Sequence, residues 1–315
     1  MHTTRSLADL RIVFMGTPEF AVASLKALLD AGANVVGVIT APDKPAGRGL
    51  QLSQSAVKKF AVERGLHLLQ PDKLKDPGFI SQLRELRADV QVVVAFRMLP
   101  EIVWNMPPMG TVNVHGSLLP DYRGAAPINW AIINGDETTG VTTFRLKHEI
   151  DTGDVLLQEA IPISNDDTAG EVHDRMKEVG AAVLVRTLEG LAAGTIHETP
   201  QDLSAAARHA PKLFTEHCRI DFTKSVDRVH NVVRGLSPFP GAFTTLHGKT
   251  LKIYKSSKQN GTTDVLPGTV MSDQRSFLKF ACSDGYLLVH ELQLEGKKKM
   301  KIDEFLRGYR FPADQ

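Results

Sequence analysis

Two segments of the chain carry side chains that could act together in one reaction. Asn113 and His115 follow an apolar run and lie two residues apart, so an extended chain places both on the same side of a strand. Asp151 opens the segment Asp-Thr-Gly-Asp, which joins two strand-like runs at 140–146 and 155–161. If the fold brings them together, the amide and a protonated imidazole can stabilise an oxyanion, while the carboxylate raises the basicity of the imidazole. This trio suits the attack of an amine on a carbonyl-like carbon.

Three other chemistries are not favoured by the sequence. No Ser or Cys occupies a nucleophile elbow, which favours direct transfer over a covalent enzyme intermediate. The turn at Gly16–Phe20 lacks the second and third glycines of a dinucleotide-binding loop, so we expect no nicotinamide cofactor. His148 could join His115 and two carboxylates around a metal, but their spacing matches no ligand motif. We therefore expect His148 on the surface and no metal.

Size and composition indicate an ordinary globular protein with two domains. A chain of 315 residues exceeds the length at which one core usually keeps growing, and 42% hydrophobic with 23% charged residues is typical. We see no signal peptide and no run long enough to cross a bilayer, so we expect a cytoplasmic protein. Cys218 and Cys282 could form a single disulfide, although two free thiols fit a reducing compartment better.

The first two hundred residues alternate apolar runs with helical patterns. This alternation is typical of a mostly parallel, Rossmann-like sheet that is covered on both faces and binds ligands at the carboxyl ends of its strands. We predict that Thr17 caps the first helix, with Pro18 in its first turn. The remaining predicted strands are 11–15, 34–40, 66–69 and 90–96, and the other predicted helices are 55–64, 79–86, 126–133 and 168–191.

The last third of the chain differs in pattern and in charge. After a short predicted helix at 226–233, short strands at 242–246, 250–254, 268–271, 278–281 and 286–294 are typical of a small β-barrel. We expect a catalytic domain at 1–198, a linker at 199–211 and a β-barrel domain at 212–315. Residues 1–211 hold 20 Lys and Arg against 25 Asp and Glu (net −5), and residues 212–315 hold 17 against 11 (net +6). The basic part indicates a polyanionic partner or, equally, a solvated Lys-rich face.

Several motifs, in their order, resemble the folate-dependent formyltransferases. They are Asn-x-His, Ser-Leu-Leu-Pro, Arg-Gly-Ala-Ala-Pro-Ile and Asp-Thr-Gly-Asp, supported by Arg11–Phe20, Pro42–Gly49 and Arg219–Phe222. The resemblance covers residues 10–310. It implies an α/β, Rossmann-like, mostly parallel formyltransferase domain followed by an oligonucleotide-binding (OB)-like C-terminal barrel. It also implies transfer of a formyl group from 10-formyltetrahydrofolate to the α-amine of methionine on initiator tRNA, which starts protein synthesis.

The resemblance assigns roles to individual residues. Asn113 contacts the formyl oxygen and the oxyanion, His115 supplies electrostatic and proton-transfer catalysis, and Asp151 orients the site or handles protons through water. The expected folate contacts are Ser117, Leu118, Leu119, Pro120, Phe96, Met98, Leu99 and Ile150. The expected tRNA contacts are Thr17, Pro18, Phe20, Lys44, Arg48, Lys297, Lys298 and Lys299. The expected partners are initiator methionyl-tRNA and tetrahydrofolate, without a membrane, and the chain is expected to be a monomer.

Two rival hypotheses remain open at this point. A formyltransferase for a small amine, such as glycinamide ribonucleotide or an amino sugar, would share the trio but would not need cations in the loop at 42–49. An RNA-binding protein would contain the same trio as purely structural residues. The 42–49 loop could also be an ordinary connection, and the 16–20 turn a simple helix start.

Overall fold

The computed structural model describes residues 5–46, 51–202 and 207–311. The strands are β1 (Arg11–Gly16), β2 (Asn34–Ile39), β3 (Lys44–Ala46), β4 (Gln51–Ser53), β5 (Leu68–Leu69), β6 (Val90–Val94), β7 (Thr111–His115), β8 (Arg123–Gly124), β9 (Thr138–Arg145), β10 (Val155–Pro162), β11 (His209–Ala210), β12 (Ala242–Leu246), β13 (Lys249–Asn260), β14 (Val270–Ser272), β15 (Leu278–Ala281), β16 (Gly285–Leu294) and β17 (Met300–Lys301). The α-helices are α1 (Glu19–Asp30), α2 (Ala56–Glu63), α3 (Pro77–Glu85), α4 (Glu101–Trp104), α5 (Pro127–Asn134), α6 (Ala169–Ala193), α7 (Val226–Gly235) and α8 (Ile302–Gly308).

A seven-stranded sheet in the order β10-β9-β7-β6-β1-β2-β5 organises the first part of the chain. Its five strands from β7 to β5 run parallel to their neighbours, and β9 runs antiparallel to β7. All five residues of β6 are buried, as expected for an apolar strand covered on both faces. The prediction of a mostly parallel, Rossmann-like sheet is confirmed.

The start of α1 differs from the prediction. Pro18, not Thr17, is the N-cap residue, its backbone is extended, and the helix begins at Glu19 without a side-chain cap. Proline is tolerated at this position because the helix needs no hydrogen bond from the N–H of its N-cap residue. The predicted N-cap Thr17 is therefore wrong by one residue. Other helices do begin with a capping side chain; at α2, for example, the hydroxyl of Ser55 accepts from the N–H of Lys58 at 3.0 Å.

Contacts between Cα atoms divide the chain into two compact units. The first holds residues 1–124, 140–161 and 174–209, and the second holds 125–139, 162–173 and 210–315. The second unit thus draws two segments from the middle of the chain. The division into a catalytic domain at 1–198, a linker at 199–211 and a barrel domain at 212–315 stays a prediction.

The second unit is built on an antiparallel sheet in the order β12-β13-β16-β15-β14, with β17 beside β16. The sheet curls as a half-barrel, consistent with the predicted OB-like domain. Buried side chains of α7, including Val229 and Val233, belong to its core, where the rings of Phe222 and Phe280 stack at 4.9 Å. Arg234 of α7 is buried and donates to the carbonyls of Ser164 and Asp167, which fixes the 162–173 segment in this unit.

Cys218 and Cys282 are buried free thiols, so the alternative of a disulfide between them is wrong. Within the described parts of the chain, no helix is both long and apolar enough to cross a membrane.

Candidate active site

The segments that carry the predicted site follow the carboxyl ends of parallel strands. The segment from Thr17 follows β1, Lys44 lies beyond β2, Phe96 follows β6, and Ser117 follows β7. Since the carboxyl ends of parallel strands meet at one edge of a sheet, these segments share that edge. This is the edge at which open α/β sheets bind their ligands.

Asn113 and His115 both lie on β7, as predicted. Asn113 pairs with Val93 on one side and Phe144 on the other, so its position is fixed by two neighbouring strands. Asn113 is half-buried, and His115, the last residue of the strand, is buried with 7% of its surface exposed. The ring of Phe144 meets the imidazole edge-on, with ring centroids 6.4 Å apart and an angle of 84° between the planes.

Asp151 reaches His115 from the loop between β9 and β10. Its backbone has a positive φ of 55°, a conformation that costs free energy unless neighbours hold it. Here the N–H of Gly124 donates to Oδ2 at 3.0 Å, and Nε2 of Gln201 donates to the Asp151 carbonyl at 2.9 Å. Gln201 also donates to the carbonyl of Gly153 at 2.7 Å. The loop is therefore held from two sides.

The imidazole of His115 lies between Asp151 and a backbone carbonyl. Nδ1 is 3.8 Å from Oδ2 of Asp151, and the two side chains are only 8% and 12% exposed. Nε2 is 2.9 Å from the carbonyl oxygen of Tyr122. A carbonyl can only accept, so Nε2 carries a proton and Nδ1 is the nitrogen left to exchange one. At 3.8 Å the carboxylate acts on Nδ1 through its charge, because this distance exceeds that of a hydrogen bond.

Gly153 allows the Asp151 loop to pass close to β9. A Cβ atom at Gly153 would lie 1.5 Å from the carbonyl oxygen of Arg145, which no side chain tolerates. The N–H of Arg145 donates to the carbonyl of Asp154 at 3.0 Å and closes this contact. Glycine is therefore required at this position of Asp-Thr-Gly-Asp for steric reasons, which could not be predicted from the sequence pattern.

The predicted folate segment Ser117–Pro120 is fixed by the side chain of Ser117 itself and by Thr142, which was not predicted. The buried hydroxyl of Ser117 donates to the carbonyl of Asp121 at 2.6 Å. Thr142 donates to the Ser117 carbonyl at 2.7 Å and accepts from the N–H of Leu119 at 3.1 Å. Leu119 is also buried, whereas Leu118 and Pro120 are partly exposed. Thr142 had no signal of its own in the sequence, because Ser117 and Leu119 lie more than twenty residues away from it.

The other predicted folate residues differ in exposure. Met98 is 75% exposed and Ile150 59% exposed, while Phe96 is half-buried and Leu99 is buried. Exposed large apolar side chains beside a site are typical of a binding surface. Arg97, which was not predicted, donates to the carbonyl of Asp72 at 2.9 Å and to that of Pro71, and lies 5.5 Å from the centroid of the Phe96 ring. Burial lowers the pKa of this guanidinium.

The residues near β1 and β2 that were predicted to contact tRNA differ in exposure. Thr17 is half-buried, Pro18 is exposed and Phe20 is buried. Lys44 is exposed and opens the hairpin of β3 and β4, which was not predicted. Arg48 lies outside the described residues.

The base of the β3–β4 hairpin is tied to the body of its unit by Asp43. One carboxylate oxygen pairs with the ammonium of Lys58, and the other accepts from Nε2 of Gln70 at 2.9 Å. Gln70 also donates to the carbonyl of Ala41 at 2.9 Å. The hydrogen bonds from Lys58 and then Gln70 lower the pKa of Asp43 below its ordinary value. We call Asp43, Lys58 and Gln70 the hairpin clamp.

Two of the three lysines predicted to contact phosphates have acidic neighbours. Nζ of Lys298 lies 3.4 Å from Oε1 of Glu304, and Nζ of Lys299 lies 2.7 Å from Oε2 of Glu291. The Lys299 ammonium is also 4.9 Å from the centroid of the Tyr254 ring, and Lys297 is exposed. His148 is exposed, and no group of three or more potential metal ligands occurs within the described parts of the chain.

The chain belongs to the formyl transferase family. The model of the formyl transferase family matches residues 10–188, and that of the formyl transferase C-terminal domain matches residues 212–310. Within this family, the chain is similar over most of its length to proteins named methionyl-tRNA formyltransferase. Those of Bacteroides fragilis and Parabacteroides distasonis are each 52% identical, covering 96% and 97% of this chain and 95% and 98% of their own lengths.

A solved structure shows the same fold at low sequence identity. The N-formyltransferase from Helicobacter canadensis, described in complex with folinic acid and dTDP-3-aminofucose, has a TM-score of 0.69 and 18% identity, over 92% of this chain and all of its own. The family models and the relatives at 52% identity confirm the family that the motifs indicated. The roles of the individual site residues stay predictions.

Proposed function

We propose that this protein transfers a formyl group from 10-formyltetrahydrofolate to the α-amine of methionine esterified to initiator tRNA, giving N-formylmethionyl-tRNA for translation initiation. The observation that carries the proposal is His115 at the end of β7, with Nδ1 facing Asp151 at 3.8 Å and Nε2 held by a carbonyl. Relatives at 52% identity named as methionyl-tRNA formyltransferases support the choice of acceptor. The proposed setting is the cytoplasm, and the proposed form is a monomer.

The reaction needs one proton moved and one oxyanion stabilised. The α-amine, whose ordinary pKa is about 7.7–8.0, attacks the formyl carbon in its neutral form. The amide N–H of Asn113 donates to the oxyanion that develops on the formyl oxygen. Nδ1 of His115 takes the proton that the attacking nitrogen loses. It returns that proton to the folate nitrogen as the old C–N bond breaks, so atoms and charges balance without a covalent enzyme intermediate.

Asp151 contributes by charge to this proton transfer. An imidazolium and a carboxylate 3.8 Å apart attract each other by about 4 kcal/mol at an effective dielectric constant of about 20. Both side chains are almost fully buried, so solvent screens this attraction only weakly. Asp151 therefore stabilises the imidazolium that forms during the attack of the amine. The ring becomes neutral again when it gives the proton to the folate nitrogen.

We assign the folate to the surface formed by the segments after β6 and β7. The exposed side chains of Met98 and Ile150, with Phe96, would pack against the flat rings of the donor, as apolar walls do in small-molecule sites. Leu118 and Pro120 would contact it directly. Ser117, Leu119 and Leu99 are buried and would act by shaping the backbone of the pocket.

We assign the tRNA to the cations of the hairpin and of the C-terminal part. Lys44 and Arg48 would contact the acceptor end, with the turn at Thr17, Pro18 and Phe20 beside the amino acid. Lys297, Lys298 and Lys299 would contact phosphates, with the latter two exchanging their acidic partners for the nucleic acid. Binding of tRNA should therefore weaken steeply with salt through counterion release, whereas folate binding should not.

The proposal is tested by offering three acceptors side by side. Purified protein and 10-formyltetrahydrofolate are incubated with charged initiator tRNA, free methionine and glycinamide ribonucleotide, and the formylated products are quantified. We expect formylation of the charged tRNA only. Formylation of the small amine alone would replace the proposed acceptor, and RNA binding without any formyl transfer would refute the enzymatic function.

A further inference from the structure

One residue outside every predicted site, Arg208, makes four contacts with the loop that supports His115. Its backbone N–H and its Nη2 donate to the two oxygens of Asp121 at 3.0 and 2.9 Å. Its guanidinium carbon lies 4.5 Å from the centroid of the Tyr122 ring. Its carbonyl accepts from the N–H of Tyr122 at 2.6 Å. Arg208 and this loop are separated by more than eighty residues in the chain.

Tyr122 links these contacts to the catalytic histidine. Its N–H is held by Arg208, while its carbonyl oxygen, at the other end of the same residue, lies 2.9 Å from Nε2 of His115. Tyr122 is buried and has a positive φ of 59°, which is strained for a bulky residue. Such a conformation persists only where its surroundings hold it. Release of Tyr122 would rotate the carbonyl that fixes the proton on Nε2.

We propose that Arg208 is a positioning residue for His115. By clamping Asp121 and Tyr122, it keeps the Tyr122 carbonyl on Nε2 and thereby leaves Nδ1 to face Asp151. The segment 207–209, which the sequence assigned to a linker, is then part of the catalytic machinery. This proposal rests on the proposed function, because it concerns the same histidine.

The Arg208–Asp121 pair is poorly suited to a role in stability alone. The two side chains are 47% and 37% exposed, and ion pairs of that exposure typically contribute little to stability. Burial acts to raise the pKa of Asp121, but the hydrogen bonds and charge of Arg208 outweigh it and lower that pKa. The carboxylate therefore stays charged and keeps both donors across the working range of pH. The main effect of losing the pair should appear in the geometry of the loop.

The test compares Arg208→Ala and Arg208→Lys with a matched control. Arg186→Ala removes another surface arginine of the same unit, which pairs with Glu159 at similar exposures of 54% and 42%. Two experiments are made on each protein. Steady-state kinetics give kcat and KM for both substrates, and the ¹⁵N NMR shifts of the His115 ring report which nitrogen carries the proton.

Arg208→Ala removes the hydrogen bond from Nη2 to Asp121 and the contact with the Tyr122 ring, while the two backbone hydrogen bonds remain. We expect this loss to lower kcat by about tenfold, because misplacing a catalytic group by a fraction of an ångström costs of this order. KM values should stay within about twofold, the ¹⁵N shifts should show a mixture of tautomers, and Arg208→Lys should recover part of both effects. Arg186→Ala should behave as wild type. An unchanged kcat, unchanged ¹⁵N shifts, or a rise in KM for tRNA alone would overturn the proposal, the last by making Arg208 a phosphate contact. If the wild-type protein formylates no tRNA, the proposed function fails, while the NMR comparison still decides whether Arg208 positions the ring.

Discussion

Replacement of Gly153 by alanine should displace Asp151 without changing its side chain, and so tests whether the position of this carboxylate matters for catalysis. The new Cβ would lie 1.5 Å from the carbonyl oxygen of Arg145 and 3.2 Å from the Phe144 ring. Backbone cannot yield as a flexible side chain does, so the loop must move by about 2 Å to restore an ordinary contact. Asp151, two residues away in the same tight turn, moves with it, although its own side chain is untouched.

The size of the effect follows from the 3.8 Å between Nδ1 of His115 and Oδ2 of Asp151. Lengthening this distance by about 2 Å removes about 1.5 kcal/mol of attraction at an effective dielectric constant of about 20, or roughly tenfold in rate. Misalignment of the proton path adds to this, and displacements of about 1 Å can cost up to about 10²-fold. We therefore predict that Gly153→Ala lowers kcat by about 10- to 100-fold.

The assay is the initial rate of formylation of charged initiator tRNA at saturating 10-formyltetrahydrofolate, with the melting temperature and the folate affinity measured in parallel. Gly180→Ala is the matched control, because a Cβ there would lie at an ordinary 3.5 Å from Val114, on the strand that carries His115. It should leave kcat unchanged and stabilise α6 slightly, since alanine is the better helix former. A folded Gly153→Ala protein with normal kcat would refute the reasoning that the turn sets the position of Asp151.

Three further changes test other parts of the structure. Asp151→Asn keeps an oxygen acceptor but removes the charge, so kcat should fall about 10²-fold with folate affinity unchanged; normal turnover would show that the charge is not used. Asp43→Asn removes the ionic partner of Lys58 in the hairpin clamp, so KM for tRNA should rise severalfold while folate affinity stays constant; the same change at Asp30, which pairs with Lys26 on α1, is its control. Burial lowers the pKa of His230 below its ordinary 6.5, with Arg234 and Lys258 acting in the same direction and the Asn165 carbonyl and Asp166 opposing it. The unfolded chain therefore binds the proton first, and the free energy of unfolding should decrease as the pH falls below about 6.5, by at most about 1.4 kcal/mol per pH unit. His230→Gln should reduce this dependence in urea unfolding at pH 7.5 and 5.5, and an identical pH dependence in both proteins would contradict the assignment.

Local patterns predicted much of the fold. The bounds of β12 and β15 agree with the prediction to the residue, because glycine, aspartate and alternating apolar side chains mark short strands clearly. The short pairs β3–β4 and β8–β11 were missed, since strands of two or three residues carry too little pattern to be recognised. The start of α1 was misplaced because Thr17 and Pro18 are both common at helix starts and only the backbone decides between them.

Local patterns also predicted part of the candidate site. Asn113 and His115 share a strand, and this follows from their spacing alone. The imidazole is held by the carbonyl of Tyr122, which lies seven residues along the chain. Tyr122 and Asp151 are in turn held by Arg208 and Gln201, which reach them across large separations in sequence. No local pattern specifies such partners. The close approach at Gly153 is equally invisible until the loop is seen against β9.

The claim that His115 moves the proton is tested most directly by His115→Ala. The measurement is kcat for formylation of initiator methionyl-tRNA, together with the dissociation constant of the folate and the melting temperature. We predict a fall in kcat of about 10²–10⁴-fold, the usual cost of losing a positioned acid–base group, with folate affinity and melting temperature close to those of the wild type. Turnover within a few-fold of wild type would remove His115 from the mechanism.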